Sequence, residues 1–96
     1  MNIIVSKKAQ NDLNNILEYI AEAGYPETAH RYLERLMHFI NSLAIYNKKY
    51  QLCRNRIFRL AGFRCAVFEN TYVLIYKIEQ NSLKIIRVIH GKNLKE

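Results

Sequence analysis

The side chains best suited to chemistry gather in the last third of the chain: Arg64, Tyr72, Tyr76, Arg87 and His90, with Arg59 shortly before them and Lys92 just after. Guanidiniums beside a phosphate stabilise developing negative charge, and an imidazole can give or take a proton near neutral pH. Arg64 and Arg87 as cations and His90 as acid or base would be the set for phosphodiester chemistry. The set is thin. No Lys/Glu cluster accompanies it on the strands, and the odd spacing between Arg87 and His90 puts them on opposite faces of a strand. No catalytic residue is assigned on these grounds. The same seven residues read also as a surface that grips a partner, and the plainest arrangement is cross-strand tyrosine pairs with arginines snorkelling over them.

The elements that carry these residues are strands. Residues 63–69 and 72–78 are rich in β-branched and aromatic side chains and are separated by Asn70 and Thr71, which suits a tight turn. Glu79, Gln80, Asn81 and Ser82 then form a polar hairpin loop whose Asn tolerates a left-handed conformation, and a third strand runs to Gly91. An antiparallel meander follows. Strand alternation predicts one aliphatic face of Val67, Val73, Ile75, Ile86 and Val88, which needs a helical cover. It predicts a second face of Arg64, Tyr72, Leu74, Tyr76, Ile85 and Arg87, left partly open to a partner.

The cover comes from the first half of the chain. Residues 2–5 read as a short strand that joins the meander at an edge or in its centre. Ser6 is placed to cap a helix from Lys7, in which Ala9, Leu13, Ile16, Leu17 and Ile20 form one stripe and which Gly24 ends. Lys7 and Lys8 oppose the dipole of that helix. Pro26 and Glu27 suit the first turn of a second helix reaching Ala44, with a stripe of Ala29, Leu33, Leu36, Met37, Ile40, Leu43 and Ala44. His30 and His38, eight residues apart on it, read as exposed rim residues. The two helices make a hairpin. Residues 45–62 break the pattern and read as a connecting loop with one helical turn at 56–60, a strand at 57–60 being the alternative. Five basic residues from Lys48 to Arg59, interleaved with Tyr46, Tyr50 and Phe58, could pair with phosphates and stack on bases, or form a solvated basic loop.

The fold class that results is α+β: two layers, an antiparallel-dominated sheet covered on one face by a helical hairpin, in the order β-α-α-β-β-β. Ninety-six residues allow one compact domain over 1–96. VLIY at 73–76 is the densest apolar run, so neither a membrane span nor a signal segment is expected, and the chain reads as cytoplasmic. Cys53 and Cys65 lack a CxxC pair or a nearby Cys/His set, so the expectation is ordinary reduced thiols, with no metal, no disulfide framework and no cofactor. The formal charge of +7 is lopsided: residues 1–47 carry four Lys/Arg against five Asp/Glu, and residues 48–96 carry eleven against three. A basic sheet half attracts phosphate backbones or an acidic protein segment.

The element order resembles the RelE/ParE superfamily of toxins from bacterial type II toxin–antitoxin systems. DLNNILEYIAE at 12–22 and PETAHRYLERL at 26–36 are similar to the helical hairpin of the ParE branch, while GFR at 62–64, YVLIYKI at 72–78 and IIRVIHG at 85–91 resemble the family's strand motifs. Lys92 and Asn93 stand where an Arg-Asp or Arg-Arg pair often follows His-Gly, and Val73 stands where ribonuclease-type members often carry Arg. Both departures bear on nuclease chemistry more than on fold. The resemblance implies a cytoplasmic toxin held by a cognate acidic antitoxin, with Arg59, Arg64, Tyr72, Tyr76, Arg87, His90 and Lys92 as target- or antitoxin-binding residues. In its ParE form the toxin binds and inhibits DNA gyrase without chemistry of its own. In its RelE form it cleaves mRNA on the ribosome, with Arg64, Arg87 and His90 as the catalytic candidates. A non-toxic binding module of the same fold is the third reading.

Overall fold

A computed structural model describes residues 1–46 and 48–94. The element order is β1 (Asn2–Val5), α1 (Lys7–Ala23), α2 (Pro26–Ile45), α3 (Arg56–Leu60), β2 (Arg64–Phe68), β3 (Tyr72–Glu79) and β4 (Ser82–His90), followed by a single 3-10 turn, Gly91–Asn93. The strands form one sheet in the order β1-β4-β3-β2. The meander is antiparallel, and β1 lies parallel to β4 at an edge. Among the described residues no helix is long and apolar enough to cross a membrane.

Local chemistry sets most boundaries. The Ser6 hydroxyl accepts from the Ala9 amide at 3.1 Å, capping α1, and donates to the Ile86 carbonyl at 3.0 Å, so one side chain both starts the helix and moors it to β4. Pro26 opens α2 and Glu27 sits in its first turn. The Asn55 side chain caps α3 through the Phe58 amide at 3.1 Å, which decides for the helical turn over a strand at 57–60. Gln80 and Asn81 both take positive φ, the two-residue turn that matches strand twist. The first hairpin turns one residue earlier than predicted, on Glu69 and Asn70, with the Thr71 amide donating to the Phe68 carbonyl at 3.0 Å.

The helical hairpin covers the sheet face opposite to the one the alternation favoured. Ala9, Ile16, Leu36, Ile40 and Leu43 pack on Ala66, Phe68, Leu74, Tyr76, Leu83, Ile85 and Val88. Val73 and Ile75 instead face a second, smaller core with Cys53, Phe58, Phe63, Ile86 and Leu94, built by the connection that carries α3. Two things misled the alternation. A bulge sets Ile75 opposite Arg87 but Tyr76 opposite Ile85, so Ile86 is an extra residue and Val88 changes face. Val67, counted with the aliphatic face, is 50% exposed. On α2, Met37 is exposed rather than buried, while Phe39 packs inward against Phe68 at 5.1 Å.

The cysteines also depart from expectation. Cys53 and Cys65 are joined in a disulfide, with their Cα atoms 5.0 Å apart. The connection doubles back beside β2: Leu52 bridges Arg64, the Cys53 amide donates to the Phe63 carbonyl and the Cys65 amide to the Gln51 carbonyl. Spacing along the chain carries no sign of that return. After β4 the chain makes the 3-10 turn Gly91–Asn93 and packs Leu94 on the second core; residues 95 and 96 lie outside the described residues.

Candidate functional site: a polar cleft at the open edge of the sheet

β1 pairs with β4 only as far as Ile85. Beyond it β4 would expose a bare edge, and α1 lies there. Asp12 closes that edge: its Oδ2 accepts from the Val88 amide at 2.9 Å and from Arg87 Nε at 2.9 Å, while Oδ1 accepts from Arg87 Nη2 at 3.2 Å. The carboxylate therefore does the work of a missing strand and holds a guanidinium in a two-point grip. Bonding to Asp12 pushes the pKa of Arg87 up, so this cation is permanent.

Around this pair lies a cleft lined by Asp12, Asn15, Tyr72, Arg87, His90 and Asn93. The register sets Tyr72 opposite His90, and the imidazole stands edge-on to the phenol at 5.3 Å between ring centres. His90 Nδ1 accepts from the Lys92 amide at 3.1 Å, which anchors the ring to the 3-10 turn. Tyr72 also meets Tyr32 at 6.3 Å, and burial, then the neighbouring Tyr19 phenol, raises the pKa of Tyr72. Tyr32 is pushed up to about 12, first by burial and then by Tyr72; its hydroxyl is buried without a hydrogen-bond partner among the described residues.

Three of the seven site residues read from the sequence thus come together: Tyr72, Arg87 and His90. The side chains of the other four do not join them. Arg64 pairs in register with Tyr76, on the face covered by the hairpin, and its Nη1 donates to the Tyr50 carbonyl at 2.6 Å. Arg87 pairs with Ile75, on the other face, so the two guanidiniums leave the sheet on opposite sides. Tyr76 is 0% exposed and belongs to the main core, its phenol pushed up to about 12 by burial against the opposing pull of Arg64. Arg59 is exposed on α3, where Nη1 donates to the Arg54 carbonyl at 3.0 Å, and Lys92 is exposed in the 3-10 turn. His30 and His38 are exposed on α2, as expected, His30 Nε2 lying 2.8 Å from Glu34.

Asp12 is the residue of this candidate site that reading the chain by role missed. It sits within the DLNNILEYIAE run, but nothing local ties it to a residue seventy-five positions later. Among the described residues no group of three or more His, Cys, Asp or Glu is placed to hold a metal ion. Chemically, the cleft offers one imidazole and a weakly acidic phenol beside a guanidinium whose Nε and Nη2 are already committed to Asp12. That arrangement binds and orients better than it transfers protons.

A comparison with curated proteins finds no match. Among solved structures, the chain is similar to one from the chromosomal ParDE TA system of P. aeruginosa, with a TM-score of 0.78 at 17% identity over 94% of this chain and 95% of that one. It is also similar to a conserved hypothetical protein from Helicobacter pylori, with a TM-score of 0.53 at 13% identity over 96% of each chain. At such identities these likenesses speak for the fold. The sequence itself is matched over residues 3–94 by the family model described as the ParE toxin of the type II toxin–antitoxin system parDE, and the chain belongs to that ParE toxin family.

Proposed function

We propose that this toxin acts by binding and inhibiting DNA gyrase, not by cutting RNA, and that an acidic segment of a cognate antitoxin neutralises it. The observation that carries the proposal is the dispersal of the nuclease candidates. Arg64 and Arg87 leave opposite faces of the sheet, and Arg87 is bound to Asp12. A 2′-hydroxyl attack needs a base, an acid and cations converging on one phosphate. Arg87 and His90 alone share a cleft, and Arg64 is turned to the Tyr50 carbonyl on the other side. A folded basic surface is enough for an inhibitor that does no chemistry, and residues 48–96 supply it with eleven Lys/Arg against three Asp/Glu. The same excess favours an acidic antitoxin.

The test is a gyrase supercoiling assay run beside cell-free translation with mRNA ends mapped. Loss of supercoiling with intact mRNA is the expected result. Ribosome-dependent cleavage that disappears in His90→Ala would replace this reading with the RelE-like one. Inactivity in both assays would leave a binding module of the same fold.

A further inference from the structure

α3 and its flanks turn the usual amphipathic arrangement inside out. Within the helix, Phe58 points inward, edge-on to Phe63 at 6.1 Å, whereas Ile57 and Leu60 are 78% and 73% exposed. Isolated exposed aliphatics are ordinary, but here Ile57 and Leu60 sit one helical turn apart with Arg54, Arg56 and Arg59 exposed around them. No Asp or Glu occurs from residue 48 to residue 68. Among the described residues no ion pair reaches any of these three arginines.

The surface is also held still. The Cys53–Cys65 disulfide closes the base of the arm, Asn55 caps its helix, and the Phe63 amide returns to the Phe58 carbonyl at 2.9 Å. A surface already ordered loses little entropy when a partner docks.

The side chains discriminate between the two kinds of acidic partner. Single-stranded nucleic acid would need aromatic faces for its bases. Of the aromatics interleaved with the basic residues, Phe58 is turned to the second core and Tyr50 packs on Phe39 at 6.0 Å; Tyr46 is 64% exposed, but it caps the end of α2 and is not part of the arm. What the arm presents is aliphatic and cationic, which matches carboxylates interspersed with aliphatic side chains. We propose that the arm from Arg54 to Leu60 is the docking surface for an acidic protein segment bearing leucine- or isoleucine-type side chains. The proposal rests on the neutralisation reading above only for which protein supplies that segment.

Fluorescence anisotropy with three labelled probes tests it: a peptide with Leu at every third and fourth position among Glu, an all-Glu peptide of equal length, and a DNA oligonucleotide. The Leu/Glu peptide is expected to bind roughly tenfold or more tighter than the all-Glu peptide. Ile57→Ser with Leu60→Ser should erase that preference. Arg54→Gln with Arg56→Gln should weaken both peptides by roughly tenfold, while Arg31→Gln with Arg35→Gln, on α2 over the other face of the sheet, leaves them unchanged. All these positions are exposed, and unaltered urea midpoints will show that the variants are folded. Equal affinity for the two peptides, equal loss in the Arg31/Arg35 control, or tighter DNA binding through the same arginines would each overturn the assignment. These readings hold whether or not the toxin inhibits gyrase, so a failure here is distinct from a failure of the gyrase reading.

Discussion

Asp12 grips Arg87 at two points, 2.9 and 3.2 Å, and with the same carboxylate caps the Val88 amide at 2.9 Å. One side chain on α1 thus closes the edge that β4 exposes where β1 ends. The cleft around Tyr72 and His90 is built on that closure.

The two members of the pair are therefore unequal. Asp12→Ala removes the ion pair and the amide cap together and should cost about 2–3 kcal/mol. Arg87→Ala leaves the cap in place and should cost distinctly less, about 1 kcal/mol, since this guanidinium is partly exposed. Urea unfolding should show lower midpoints at an unchanged slope, in that order. An equal loss in both variants would mean that the cap contributes nothing.

The disulfide closes a loop of sequence separation 12, and such a loop stabilises by about 2–3 kcal/mol, chiefly by restricting the unfolded chain. Protein purified without reductant should show no titratable thiol. Reduction, or Cys53→Ser with Cys65→Ser, should lower the unfolding midpoint while α1 and α2 keep their circular dichroism. Two reactive thiols in the native, unreduced protein would contradict the bond.

Tyr32 and Tyr76 are both pushed up to about 12, burial being the larger cause in each. In the unfolded chain they titrate near pH 10. The sign follows directly: a raised folded pKa means the native state holds its protons longer, so its stabilising effect is complete below about pH 10 and is lost as pH rises toward 12. Of the seven tyrosines in the chain, these two should develop phenolate absorbance last, together with alkaline unfolding. Tyr76→Phe should move the alkaline unfolding midpoint upward if the fold is otherwise kept. A titration in which all the tyrosines ionise together near pH 10 without unfolding would refute the burial argument.

Gly62 holds φ at +85°, and a Cβ there would meet nothing within 4 Å. Gly62→Ala should therefore cost about 1 kcal/mol through the backbone alone, and Gly62→Asn less, because Asn tolerates the left-handed region better. Thermal melts of the two variants check that ranking.

Much of the fold was legible because its signals are local. The stripe of α1, the Ser6 cap, Pro26 at the start of α2, the paired turns of the meander and the charge excess of residues 48–96 are each set within a few residues of one another. Of the site, Tyr72, Arg87 and His90 could be named, but not Asp12, and Tyr76 proved to be core. Those failures share a cause. A single extra residue at Ile86 reverses the faces of everything after it, and hydrophobic alternation is nearly blind to such a slip when both faces are apolar.

The amino-acid sequence by itself determined the kind and order of the elements, the hairpin-on-sheet architecture and the family, since capping, turn chemistry and hydrophobic period act over short stretches of chain. Tertiary structure alone decided which face the hairpin covers, that Cys53 meets Cys65, that Asp12 meets Arg87, and that Phe58 turns inward while Ile57 and Leu60 stay in water. Each of those depends on segments distant in sequence arriving at one place, and the free energy that selects among such arrangements resides in the packing and pairing of the assembled molecule.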